Sequence, residues 1–206
     1  MKKLTLLVLG VIAAVSFSGC LRDGETFDPA AQYELERPII AQYATDSGFI
    51  DYHDVQGVRM YYRILNAGNP ESYRYKAIPN TQVPGGYQME FPKLKLRYSG
   101  KLLSSNTVVH KNQKDEGDEI SMLNIPLAWA YALAPRQIRY DKDNNPIQQP
   151  IEVGGITSEG LKAGARIRIV SPSYLLYGNN SLGQIPANSP MYYEIEVVDI
   201  DEPDSN

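Results

Sequence analysis

Residues 161–200, LKAGARIRIVSPSYLLYGNNSLGQIPANSPMYYEIEVVDI, decide the fold. A glycine turn at Gly164 opens onto a segment in which Ile167 and Ile169 share one face while Arg166 and Arg168 share the other. Alternation with a period of two marks a strand with one wet side. Tyr193 and Ile195 repeat that pattern, and strands are expected over 166–170 and 191–200.

Upstream the same alternation returns. Leu94, Leu96 and Tyr98 point one way with Lys93, Lys95 and Arg97 opposite, and Gly100 is expected to end this run. A further strand is expected through Leu102, Leu103, Val108 and Val109, followed by a charged turn over 111–119. Residues 125–133 are the one later stretch expected to be helical, and 140–150 reads as a surface insertion. Nearer the start, Val58, Met60, Tyr62 and Ile64 share a strand face, with a long loop over 66–86 rich in Gly and Pro. Asp28-Pro29 offers a helix cap and first-turn proline, and Tyr33, Ile39, Ile40 and Tyr43 follow at helical spacing. Pro38 lacks an amide hydrogen, so a kink or restart is expected there. The fold class is α+β: an antiparallel sheet whose apolar face is covered by something short.

Composition agrees. The chain has 206 residues, 43% of them hydrophobic and 21% charged, enough for one good core. Fifteen Tyr, 16 Gly and 14 Pro suit strands and turns. With 24 acidic against 20 basic residues and a formal charge of −4, there is no basic stripe to release counterions from DNA or RNA. Nucleic acid is not an expected partner. A single cysteine excludes an internal disulfide framework. His53 and His110 stand outside any zinc-binding spacing and read as surface or turn residues. Gly85-Gly86 and Gly154-Gly155 lack a phosphate-cradling pattern, and no GxSxG elbow appears. Asp141, Asp143 and Asn145 start like a calcium loop, but Pro146 takes the place of the glycine on which that loop turns. No cofactor or metal is expected.

The cysteine is placed informatively. Met1-Lys2-Lys3 precedes fifteen uncharged, mostly apolar positions over 4–18 and then Gly19-Cys20, the layout of an export signal. The stretch is too short to span a bilayer, which needs about 20 apolar helical residues. Phe17-Ser18-Gly19-Cys20 resembles the lipobox of bacterial lipoproteins, and that resemblance implies cleavage before Cys20 and lipidation of its thiol. Residues 1–19 are then a signal peptide and 20–28 a tether. Because the remaining domain is acidic, attachment to a membrane would rest on the acyl chains.

Within 161–200, the sequence resembles the C-terminal half of FKBP-type peptidyl-prolyl isomerases. The likeness is carried by Pro172, Leu175, Tyr177 and Gly178, then by Gly183, Ile185, Pro186, Asn188 and Ser189, and by the closing strand. LKLRYSGKLL resembles the family's early strand with its Tyr-x-Gly at Tyr98 and Gly100, and IPLAWAYAL resembles the start of the short central helix with its Trp at Trp129. The resemblance covers 94–200. It implies an FKBP-like curved antiparallel sheet wrapped on a short helix, preceded by a helix and strand extension over 29–93 and followed by an acidic tail over 201–206.

The family's activity suits these residues. Rotating a Xaa-Pro bond crosses a barrier of about 18–20 kcal/mol without breaking a bond to carbon, so no nucleophile is needed. A dry aromatic pocket favours the twisted amide, and Tyr98, Ile125, Trp129, Tyr177, Ile185 and Tyr193 would supply one. By resemblance Trp129 is the floor, the Tyr177 hydroxyl and Ile185 amide are donors, and Ile125 and Val109 touch substrate. Tyr98 and Tyr193 also lie on period-two faces, which suits core as well as pocket. The likeness departs at Val108-Val109-His110, where active members carry Phe-Asp, and at Pro126, which stands in place of an isoleucine N–H donor. About twenty residues also separate the Trp129 segment from 160–164. Either that insertion roofs the pocket or VGGITSEGL is the true start of the central helix. Two functions remain: a lipid-anchored isomerase of the cell envelope acting on proline-containing segments of exported proteins, or a catalytically weak chaperone or assembly module there.

Overall fold

The computed structural model describes residues 27–83 and 85–203. The expected signal peptide, Cys20 and most of the tether lie outside them. Helix α1 (Pro29–Asp46) is capped by Asp28, whose carboxylate accepts from the Ala30 and Ala31 amides at 2.9 and 3.2 Å. The helix passes through Pro38 as one element, correcting the expected restart. Tyr33, Glu36, Ile40 and Ala44 are buried along one side, while Pro38 and Glu34 are exposed. The carbonyl that proline leaves without a donor therefore faces water, and packing holds the helix together.

Strands β1 (Asp51–Val55) and β2 (Val58–Asn66) form a hairpin, and β3 (Ala77–Pro79) and β4 (Tyr87–Met89) form a second within the expected long loop. Then come β5 (Lys93–Leu102), β6 (Val108–Asn112) and β7 (Asp118–Ser121). Helix α2 (Leu127–Leu133) follows, then β8 (Gln137–Tyr140), β9 (Pro146–Glu152), β10 (Arg166–Ser171) and β11 (Met191–Asp201). The main sheet is antiparallel in the order β1-β2-β10-β11-β5-β6, with β7 pairing the first half of β5. The α+β class with a curved antiparallel sheet on a short helix is what the chain forms. The N-terminal helix and hairpin are continuous with the rest, because β2 is bonded directly to β10.

Strand β5 runs through Gly100 to Leu102 rather than ending at the glycine, and the turn lies between Leu102 and Val108. Adjacent residues on β11 show how the layers are arranged. The Tyr193 ring meets Trp129 of α2 at 5.0 Å, whereas the Tyr192 ring meets Tyr43 of α1 at 6.0 Å. Because neighbouring strand residues point to opposite faces, the two helices cover opposite sides of the sheet. Under α2 lies the core, with Leu94, Leu96, Ile167, Ile169, Tyr193 and Ile195 fully buried.

The insertion is the β8–β9 hairpin, and Asp141 accepts from the Asp143 and Asn145 amides at its turn, which accounts for the carboxylate spacing there. The hairpin docks on β3 through an Ala77–Asp141 bridge. Residues 153–161 are irregular, with the Ile156 amide bonded to the Tyr131 carbonyl at 2.9 Å. The central helix therefore begins before Trp129, and VGGITSEGL is not its start.

Candidate functional site

Strands β5, β6 and β7, the entry to α2 and the segment after β10 wall an open apolar hollow of about 390 Å³, with His110 from β6 and Ile120 from β7. From β5 comes Tyr98, from the segment entering α2 come Ile125, Pro126 and Trp129, and from the segment after β10 come Leu176, Tyr177 and Leu182. Trp129 is 1% exposed and forms the floor, touching the rings of Tyr98 at 4.9 Å and Tyr193 at 5.0 Å. Its indole nitrogen has no hydrogen-bond partner among the described residues, so ring packing alone holds it. The β8–β9 hairpin contributes nothing to the lining, and the hollow is not roofed by it.

Of the residues expected to touch substrate, Tyr98, Ile125, Trp129 and Tyr177 line the hollow. Tyr193 lies fully buried below it and is coupled to it by hydrogen bonds. Val109 and Ile185 do not line it. Gly100 pairs with His110 and Lys101 with Val108, so Val109 is the unpaired residue of a bulge beyond the register that faces the hollow. His110, opposite Gly100 and on the face shared by Tyr98 and Asn112, lines the hollow. Ile185 is 2% exposed, and its amide donates to the Leu182 carbonyl at 2.9 Å while Leu182 donates back at 3.0 Å. That amide already has its acceptor inside the protein.

His110 is the functional candidate that sequence spacing missed. Its Nδ1 lies 2.9 Å from the Tyr193 hydroxyl and 3.3 Å from the Tyr177 hydroxyl, and those two hydroxyls are 3.3 Å apart. The imidazole is near-parallel to Trp129, with 24° between planes, and stands 4.7 Å from the Tyr98 ring. Burial lowers its pKa below the ordinary histidine value. Burial likewise raises Tyr177 and Tyr193, so both phenols stay protonated. In the tautomer with its proton on Nε2, His110 accepts at Nδ1 from Tyr193, and the Tyr177 hydroxyl can then turn its proton from the Tyr193 oxygen to an incoming carbonyl. One signal could have found it: the histidine falls in the tripeptide where the family pattern carries Phe-Asp, a polar group next to the pocket tyrosine.

A larger hollow, about 560 Å³, opens on the other face of the sheet. It is lined by Arg97, Lys101, Arg166, Glu194 and Glu196, and Arg97–Glu196 and Arg166–Glu194 pair at 2.6 Å. Its lining is mostly charged and polar, a solvated ion ladder with Tyr98 and Tyr192 as its aromatic members.

No family model matches the chain. Over 40 residues it is 42% identical to the FKBP-type peptidyl-prolyl cis-trans isomerase FkpA of Buchnera aphidicola subsp. Schizaphis graminum, a stretch amounting to 19% of this chain and 16% of that protein. Homology to FKBP-type isomerases is shown for that stretch, about a sixth of the relative's length. Among solved structures, a peptidyl-prolyl cis-trans isomerase of Pseudomonas syringae pv. tomato overlays with a TM-score of 0.49 at 16% identity, covering 87% of this chain and all of that one. FkpA from Escherichia coli overlays with a TM-score of 0.48 at 16% identity, covering 84% of this chain and 61% of that one.

Proposed function

We propose that this chain is a peptidyl-prolyl cis-trans isomerase, held at the cell envelope by a lipid on Cys20 and acting on proline-containing segments of exported proteins. The supporting observation is the open hollow with Trp129 as its floor and the Tyr177 hydroxyl at its wall. A prolyl ring seats on Trp129 between Tyr98 and Ile125. Desolvation there weakens the resonance-stabilised planar amide relative to the twisted one, whose carbonyl depends less on water. The Tyr177 hydroxyl then donates to a substrate carbonyl, while His110 and Tyr193 hold the phenol in place. Lowering the barrier by about 7 kcal/mol gives roughly a 10⁵-fold acceleration. No bond is made or broken, so no cofactor enters.

A second reading is a chaperone or assembly module that binds apolar segments without accelerating rotation. It is favoured by Pro126, which has no N–H to donate at the pocket, and by the internal bond of the Ile185 amide. Exposed Leu123, Leu127 and Leu182, at 66%, 44% and 48%, give apolar surface near the hollow for a longer segment. A protease-coupled assay of cis-to-trans conversion in a Xaa-Pro peptide separates the two. The isomerase reading expects acceleration that Trp129→Leu and Tyr177→Phe reduce. A wild-type rate equal to buffer, with aggregation of a reduced client still suppressed, sinks it in favour of the chaperone.

A further inference from the structure

The wall that carries Tyr177 is tied to the N-terminal helix by a buried carboxylate. Glu36 of α1 is 3% exposed and forms no ion pair among the described residues, the adjacent Arg37 pairing with Glu34. Its oxygens are satisfied instead by neutral donors. One accepts from the Ser173 amide at 2.8 Å, and the other accepts from the Ser173 hydroxyl and from Gln32 Nε2, the latter at 2.7 Å. Ser173 is itself 1% exposed and opens a short 3-10 helix, Ser173–Leu175, four residues before Tyr177. Burying a carboxylate is costly unless its lone pairs are met, and three converging donors meet them here. The Gly178 amide closes back on the Ser173 carbonyl at 2.8 Å, so Ser173 fixes both ends of the loop that presents Leu176 and Tyr177.

A second contact reaches the same loop from the same end of the chain. Gly178 has φ +57°, and a Cβ added there would lie 3.8 Å from Phe27 Cε1, so the residue just before the helix cap stands over the far end of the turn. The Tyr177 loop is therefore gripped at its start by Glu36 and approached at its end by Phe27.

We propose that Glu36 is a positioning residue for the Tyr177 wall, which makes helix α1 a working part of the pocket. This rests on the isomerase reading for its kinetic arm alone. Without Glu36, the Ser173 amide and hydroxyl lose their acceptor in a buried site, and the loop must open to find water. Tyr177 then leaves the triangle with His110 and Tyr193, and a shift of about 1 Å in such a group can cost up to 10²-fold in rate.

The test uses the full chain with Glu36→Ala, Glu36→Gln and Ser173→Ala. Amide hydrogen exchange of residues 173–178 and isomerisation kinetics are both measured. In Glu36→Ala the loop amides are expected to exchange at least about tenfold faster, with protection of β10 and β11 unchanged. Turnover should fall about tenfold, the loss lying in kcat more than KM. Glu36→Gln keeps an acceptor for the Ser173 amide and should restore most of both readouts. Ser173→Ala, which removes one donor and keeps the carboxylate, supplies an intermediate case if Glu36→Ala does not fold. Gln42→Ala, on the exposed side of the same helix, should change neither. Unaltered loop exchange in Glu36→Ala, or in Ser173→Ala where Glu36→Ala is unfolded, overturns the proposal. An inactive wild type would overturn the isomerase reading instead, with the exchange arm still deciding the part played by Glu36.

Discussion

The Tyr193 ring occupies the space that a side chain at Gly100 would need: a Cβ built on that glycine falls 2.3 Å from Tyr193 Cε1 and 2.6 Å from Cζ. Both residues lie in adjacent strands and pair directly across the β5–β11 ladder. The strand thus contributes an empty position as a socket for a ring on its neighbour. Gly100→Ala should destabilise the protein by roughly 1–3 kcal/mol through overpacking. Chemical denaturation reads this as a lower midpoint at unchanged slope. Adding Tyr193→Leu should return part of the loss, whereas an additive double variant would mean that the ring and the glycine do not interact.

Tyr177→Phe removes the hydroxyl facing the hollow and leaves the ring. The Tyr193–His110 bond at 2.9 Å survives, so folding stability should change by less than about 1 kcal/mol. The catalysed rate constant should drop about tenfold or more, in line with loss of one placed donor. Activity equal to wild type would remove the phenol from the mechanism.

For Trp129→Leu both readouts should move. The indole is 1% exposed and touches Tyr98, His110 and Tyr193, and replacing it leaves a void that its neighbours fill only partly. A loss of about 1–3 kcal/mol is expected in a urea titration. Peptide binding, followed by nuclear magnetic resonance shifts of the Ile125 and Leu176 methyls, should weaken. Tight binding to the variant would show that the floor is elsewhere.

Acidification should destabilise the fold through its histidines. Burial holds His110 below the ordinary value, and burial together with Arg136 does the same to His53, whereas in the unfolded chain both titrate near 6.5. The unfolded state therefore takes up protons first as the pH falls, and stability declines from about pH 6.5 down towards the native values. Around His110 the titratable neighbours are Tyr98, Tyr177 and Tyr193, all shifted upward and neutral over this range. Thermal unfolding between pH 7.5 and 5.5 should show a falling midpoint. In His110→Asn, whose amide oxygen can replace Nδ1 as acceptor, the fall should be shallower. An identical slope would assign the effect to His53.

The strands were readable wherever one face meets a core and the other meets water. Residues 93–102 bury every second side chain from Leu94 to Gly100, and 191–197 do the same from Met191 to Val197. Strand β1 shows no such alternation, because it is an edge strand with mostly exposed residues, and it escaped notice. Gly100 read as a terminator because glycine usually weakens strands, yet it is kept for the ring above it. Pro38 read as a kink or restart because only the local hydrogen bond is visible in the sequence, not the buried side that carries the helix past it.

The site was legible to the extent that the family-like motifs reach. Tyr98, Trp129 and Tyr177, which the family resemblance singled out, line one hollow. What failed depended on register and local bonding. The pairing of Gly100 with His110 puts the histidine and not Val109 on the face of the hollow, and a mutual pair of backbone bonds between Leu182 and Ile185 occupies an amide that looked available. Glu36 was equally invisible, since nothing in an exposed-looking helix motif signals a partner 137 positions away.

Strand β11, the last strand among the described residues, sits between β10 and β5 in the interior of the sheet. A nascent polypeptide emerging N-terminus first cannot join its two halves until this ribbon arrives, because β2 with β10 on one side and β5 with β6 on the other meet only across it. Most of the molecule must consequently wait unsealed during translation, open to holding factors, and shortening it by those eleven residues would leave two unjoined fragments of sheet rather than a smaller working protein.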